Sequence, residues 1–142
     1  MAEPTPAYVQ SIHLVSAAAT APAEANRLDG ISEAPVNMTS DTVDGNYLGS
    51  DGWKRTHTTL KGFEIPLSGH HLPTTVSHQL LKTMYLTHAV GYLLIVKDIS
   101  GAPGAVGTRY PVKATSFEEG RSATDVLTFS TTLTSQGAPV DF

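Results

Sequence analysis

Residues 124–134 alternate over their whole length. Leu127, Phe129, Thr131 and Leu133 fall on one side of an extended chain; Val126, Thr128, Ser130, Thr132 and Thr134 fall on the other. A period of two held for that long is a strand signal. One side is largely apolar and the other carries hydroxyls, which suits a sheet with a core on one face and water or a partner on the other. Residues 109–117 read as its hairpin partner, with 118–123 as the turn. The pattern predicts a wall rather than a pocket.

The chain has 142 residues, the size of one domain. Hydrophobic residues make up 40% and charged residues only 15%, and the difference is filled by 18 Thr and 12 Ser. That balance fits a mainly β protein whose surface is partly covered in an assembly, and it opposes disorder, which needs few apolar residues and high charge. A net charge of −4 argues against a chain that grips nucleic acid. It leaves open one that lets nucleic acid pass. Cysteine is absent, which excludes disulfides, thiolate metal sites and thiol nucleophiles. No secretory address is legible, and the longest apolar run, 90–96, is too short to span a bilayer.

Along the chain, 1–8 reads as a flexible arm broken by Pro4 and Pro6, and 9–15 as a first strand. The Ala-rich stretch 17–27 reads as a loop with at most one helical turn. Residues 28–53 hold Asp29, Glu33, Asp41, Asp44 and Asp51 without a Lys or Arg, and several Asp-Gly turn signals. An extended loop or ribbon over 33–55, projecting from the core, is expected. Lys54, Arg55 and Lys61 follow at once. That switch of sign would let the loop of one subunit lie on the basic edge of another; the alternative is that both are simply solvated. Strand 60–69 puts Phe63, Ile65 and Leu67 on a core face, and Pro66 demands a position that donates no ladder bond. A helix over 75–88 follows Pro73, capped by Thr74 or Thr75. Its expected stripe is Val76, Leu80, Leu81, Met84 and Tyr85, with His78, Gln79 and Lys82 opposite and Gly91 as its end. Leu86 points away from the stripe, as a stray surface residue or a contact with a neighbour. Residues 92–97 form a buried strand, 99–107 a loop and 138–142 a short tail. The expected architecture is mainly β: a small sandwich or barrel with one packed helix and a long extended loop.

The order and spacing of these pieces resemble the major tail tube protein of long-tailed (siphovirus-like) bacteriophages and of gene transfer agents. Leu28, Gly30 and Ile31 lead into a Thr/Asp-rich stretch ending near Val43 and Asp44. Gly52, Trp53 and Lys54 follow, then strand 60–69, the helix, and the terminal hairpin 112–133 closed by Thr134, Ser135, Gln136 and Gly137. The resemblance covers residues 28–137 as one β-sandwich domain, with 1–27 as an N-terminal arm and first strand. It implies a structural virion protein made in a host cytoplasm: six subunits join their sheets into a ring, and rings stack into a tube around a tape-measure protein. Tail terminator and baseplate or tip proteins are the implied partners, and DNA crosses the lumen without specific binding. It further implies a stacking loop containing Asp41, Asp44, Asp51, Trp53, Lys54 and Arg55, with Trp53 either an anchor on the neighbour or a core residue of its own domain. The implied lumen lining is Thr128, Ser130 and Thr132 with Glu118 and Glu119, the two glutamates being otherwise a solvated turn pair. Related readings are a ring-forming head–tail connector or tail terminator, and the inner tube of a contractile tail or secretion system.

Catalytic and metal chemistry is not legible. His70 and His71 would face opposite ways on a strand, and His78 and His88 share no tight helical face. No carboxylate stands at ligand spacing beside them. Residues 68–71 do not form a nucleophile elbow, and the glycine-rich 101–107 leads into a strand rather than a helix. No enzyme, cofactor or metal is expected, and a ligand-binding barrel is disfavoured by the lack of convergent polar groups on the core face.

Overall fold

The computed structural model describes residue 3 and residues 6–45, 48, 49, 51–124 and 126–142. The strands are β1 (Ser11–Val15), β2 (Ile31–Glu33), β3 (Asn37–Asp44), β4 (Thr56–His70), β5 (Gly91–Val96), β6 (Gly107–Gly120), β7 (Thr128–Ser135) and β8 (Val140–Asp141), with helix α1 (Val76–Thr87) between β4 and β5. They form one antiparallel sheet in the order β1-β5-β6-β7-β4-β2. β3 pairs with the first half of β4, and β8 with the start of β6.

The sheet curls around a single core. Phe63, Ile65 and Leu67 of β4, Phe129, Thr131 and Leu133 of β7, Val112 and Ala114 of β6, Leu93 of β5 and Leu14 of β1 point to one side, with Leu81 and Met84 of α1 among them. Burying each of the larger side chains contributes roughly 1.5–3 kcal/mol. The helix lies close on the sheet because β5 begins with Gly91, where a Cβ would meet the Met84 thioether at 2.5 Å.

Pro66 sits where the sequence required. It faces Thr132, whose amide turns the other way to the Ser116 hydroxyl, so this pair exchanges no ladder bonds. The Pro66 nitrogen therefore points to the gap between the stretches of β4 paired by β3, up to Glu64, and by β2, from Ser68.

The register of β6 on β7 slips between Ala114 and Ser116, and hydroxyls repair the ladder there. Thr131 Oγ1 donates to the Ser116 carbonyl, the Thr132 amide to Ser116 Oγ, and Thr115 Oγ1 to the Thr132 carbonyl. Part of the Thr/Ser content is thus structural.

Several expectations change. The terminal strand begins at Thr128 rather than 124: residues 126 and 127 leave the ladder, with the Leu127 carbonyl taking the His71 amide, and position 125 lies outside the described residues. The helix is rotated from its predicted stripe. His78 is buried and Val76 exposed, because Phe129 and His71 accept the imidazole while its Nε2–H donates to the Asp29 carbonyl at 2.7 Å. The N-cap is Thr75, without a side-chain capping bond, and the C-cap is His88 in the left-handed region rather than Gly91. The C-terminal residues form a strand on β6, and Phe142 exchanges backbone bonds with Gly107. Of the N-terminal arm, positions 1, 2, 4 and 5 lie outside the described residues, and Ala7–Val9 is a short 3-10 turn.

Candidate assembly surfaces

The expected loop 33–55 is largely a β-hairpin arm. β3 pairs with β4 from Asn37↔Glu64 out to Asp44↔Thr56, and the Gly45 amide bonds the Arg55 carbonyl. Every residue of β3 is exposed, as is β4 from Thr56 to Lys61. The arm carries Asp41, Asp44, Asp51, Trp53, Lys54 and Arg55 together. Arg55 binds Asp51 at 2.9 Å, and Asp51 also caps the Trp53 amide. Asp41 and Asp44 make no ion pair among the described residues. Trp53 is 77% exposed, so it is not a core residue of this subunit. Met38, Val43, Leu48 and Leu60 are also exposed on the arm. That much apolar surface on one projecting element marks a contact. Positions 46, 47 and 50 of the expected loop lie outside the described residues.

Away from the core, the sheet has an open hydroxyl wall. Thr128, Ser130, Thr132 and Thr134 of β7 stand beside Ser116 and Glu118 of β6 and Ser68 of β4, since Glu118 pairs with Ser130 and Ser68 with Ser130. Glu119 does not belong to this wall. Successive strand residues point to opposite faces, and Glu119, opposite Phe129, turns under the helix. There Lys82 and Arg121 reach it at 3.2 and 2.8 Å and His71 lies at 3.6 Å. The Lys82 hydrogen bond, then that of Arg121, holds its carboxyl below the ordinary range. At the β1 end the same face is covered. His13, Leu94 and Arg109 form one cross-strand row, and both ends are tied to the segment after β1: His13 Nδ1 to Asn26 and Ala23, Arg109 to the Ala18 carbonyl.

The sheet is also a staircase. β5 pairs with β6 only as far as Val112, so, among the described residues, 113–120 of β6 have no strand partner on the side away from β7. At the other end, the outer side of β3 pairs with no strand among the described residues. At β1 the edge is partly closed by the bridge His13↔Arg27 and the Leu28 amide on the Ile12 carbonyl.

Sequence reasoning missed the cluster at the far end of β4. His71 and His78 pack with ring centroids 5.5 Å apart, against Phe117 and Phe129. With Pro73, Gln79, Lys82, Glu119, Arg121 and Leu127 they line a groove of about 360 Å³. Burial lowers the His78 pKa against the opposing Asp29 carbonyl bond. No set of three or more metal-ligating side chains comes together among the described residues. The only signal in the sequence was the adjacency of His71 to the strand end.

Neither a protein-family description nor a curated protein sequence matches the chain. Solved structures do. The tail of an empty gene transfer agent particle, refined helically with C6 symmetry, superposes with a TM-score of 0.74 at 14% identity, covering 98% of this chain and 99% of that one. The SPP1 tail tube gives 0.68 at 8% identity over 94% and 77%, and the baseplate of the anti-feeding prophage 0.64 at 10% over 99% and 98%. The chain therefore has the fold of tail-tube proteins, with one helix packed on a curled sheet.

Proposed function

We propose that this chain is the structural subunit of a hollow tail tube, built from stacked rings of six, through which DNA passes. The observation that carries the reading is the staircase. The outer side of β3 and the free side of β6 lie on opposite flanks of the sheet and have the same length. β3 and β6 each run against their neighbours, so β6 is parallel to β4 and antiparallel to β3. β3 of one copy can then extend the sheet of the next at 113–120 as an ordinary antiparallel pair. Such a heterologous contact closes into a ring when the rotation permits, and ring closure removes the open edges. Each subunit would contribute β6, β7, β4 and β3 to the barrel. The C6 tail among the similar structures supports six copies.

The hydroxyl wall with Glu118 would line the bore, with Lys113 opposite Thr134 as a cation at its margin; a lining mostly of hydroxyls does not hold phosphates. Asp41, Asp44, Asp51, Trp53, Lys54 and Arg55 would make the contact between rings. The tape-measure, terminator and tip proteins would be the further partners, with assembly in the host cytoplasm. The likeness to a baseplate structure favours one other reading, a ring at the end of a contractile-type device that does not continue stacking.

Negative-stain microscopy of the purified protein, with its mass by light scattering, tests both. Hollow tubes or six-membered rings that stack on concentration are expected. Rings that never stack favour the baseplate reading, and a monomer at all concentrations overturns the proposal.

A further inference from the structure

β4 links the two ends of the molecule. It starts at the arm, runs Thr56–His70, and delivers His71 to the groove between α1 and the β6–β7 turn. At about 3.3 Å per residue the two sites are roughly 45 Å apart along one strand. In a stack of rings that all face the same way, opposite ends of the subunit meet. We propose that this groove receives the arm tip of a copy in the neighbouring ring, a contact that rests on the tail-tube reading and names its receptor site.

The chemistry of the two surfaces matches. Among the described residues, the groove mouth presents Lys82 and Arg121, half to two-thirds exposed, against the carboxylate of Glu119. The arm presents Asp41 and Asp44, which make no ion pair among the described residues, and Asp51, which is paired with Arg55. The groove wall is apolar at Pro73 and Leu127, and Leu127 is 39% exposed. The arm brings Trp53 and Leu48, large apolar residues exposed near its tip. The floor is made by the rings of His71 and His78, packed 5.5 Å apart. An aromatic anchor in an apolar groove ringed by opposite charge is the usual composition of an interface hot spot.

The absence of cysteine makes the contact directly readable. Leu48→Cys with Gln79→Cys places one thiol at the arm tip and one on the groove rim, leaving Trp53 and the charged residues in place. Oxidised tubes of this double variant should give a ladder of covalent species on a non-reducing gel that continues past six subunits, and each single variant should not. A ladder that ends at six places the arm on a neighbour within the ring and overturns the proposal, as does the absence of cross-links in well-formed tubes. Amide exchange on wild-type rings and tubes reads the same contact without substitutions. Tube formation should slow exchange both at 48–55 and at 71–82 with 119–127, and protection of the arm without the groove overturns it. Wild-type protein that never forms tubes is a separate result, seen in the microscope, and it removes the tail-tube reading itself.

Discussion

Thr131→Val isolates what the buried hydroxyl of β7 does. Thr131 is 1% exposed between Phe129 and Leu133, and its Oγ1 donates to the Ser116 carbonyl where the register slips. Valine keeps the shape, so no cavity forms, and its additional methyl gains about 0.8 kcal/mol on burial. Against that, a core-facing carbonyl loses its donor, at about 1–3 kcal/mol. The expected balance is a destabilisation of about 0.5–2 kcal/mol. For a urea slope of about 1.5–2 kcal/mol per molar, the unfolding midpoint of the unassembled subunit falls by about 0.3–1.3 M. Leu133→Ala on the same strand, at a fully buried site, should cost about 2–5 kcal/mol and calibrates packing. A midpoint for Thr131→Val at or above wild type would refute the reasoning, since the bulge would then hold without its hydroxyl.

Three further outcomes are expected. Trp53→Ala leaves the subunit's melting temperature unchanged, because the side chain touches no core, but tubes are lost in microscopy; intact tubes would end its role as an anchor. Glu118→Lys assembles normally and makes tubes retain labelled duplex DNA at low salt, where wild-type tubes do not; no gain in retention would take Glu118 out of the bore. The third concerns acid. Burial depresses the His78 pKa from 6.5, so below that pH the unfolded chain binds a proton that the folded one refuses. Stability from this group is full above about pH 6.5 and falls as pH drops toward the depressed folded value. His71, Asp29, Glu119, Lys82 and Arg121 surround the site, and Glu119, with its own lowered pKa, adds a loss below about 4.5. Thermal melts between pH 7.5 and 5.5 should slope downward, and less so in His78→Gln; equal slopes in both proteins would contradict the assignment.

Where one physical signal dominated, the chain was legible. Phe63, Ile65 and Leu67 are buried because strand alternation leaves no other choice, and Pro66 found its bondless site because a missing amide admits few positions. The helix was placed but its rotation was not. His78 looked polar on a wheel, and only the aromatic floor supplied by Phe117, Phe129 and His71 makes its burial favourable. Glu119 failed for a similar reason. Its neighbour in sequence, Glu118, shares the turn but not the face, and the cations that claim Glu119 come from Lys82 on the helix and Arg121 beyond the strand. The arm was recognised as projecting, yet its pairing was hidden because a ribbon with both faces in water has no apolar alternation to report it.

That same ribbon explains how an aggregation hazard becomes an assembly rule. A two-stranded arm with an open outer edge and an exposed Trp53 is a template for any extended chain. Both edges used in the proposed ring carry a slip in register, between Ser40 and Thr42 on β3 and between Ala114 and Ser116 on β6. Bulges bend and twist a strand, so a flat foreign strand cannot follow it for long. An edge with a matching bend can, and the partner best matched to this edge is another copy of the chain. The two edges also differ in charge, with Asp41 and Asp44 on β3 and Lys113 on β6, which favours pairing of one with the other. Head-to-tail pairing is then favoured over symmetric pairing, and a head-to-tail contact is the one that builds a ring.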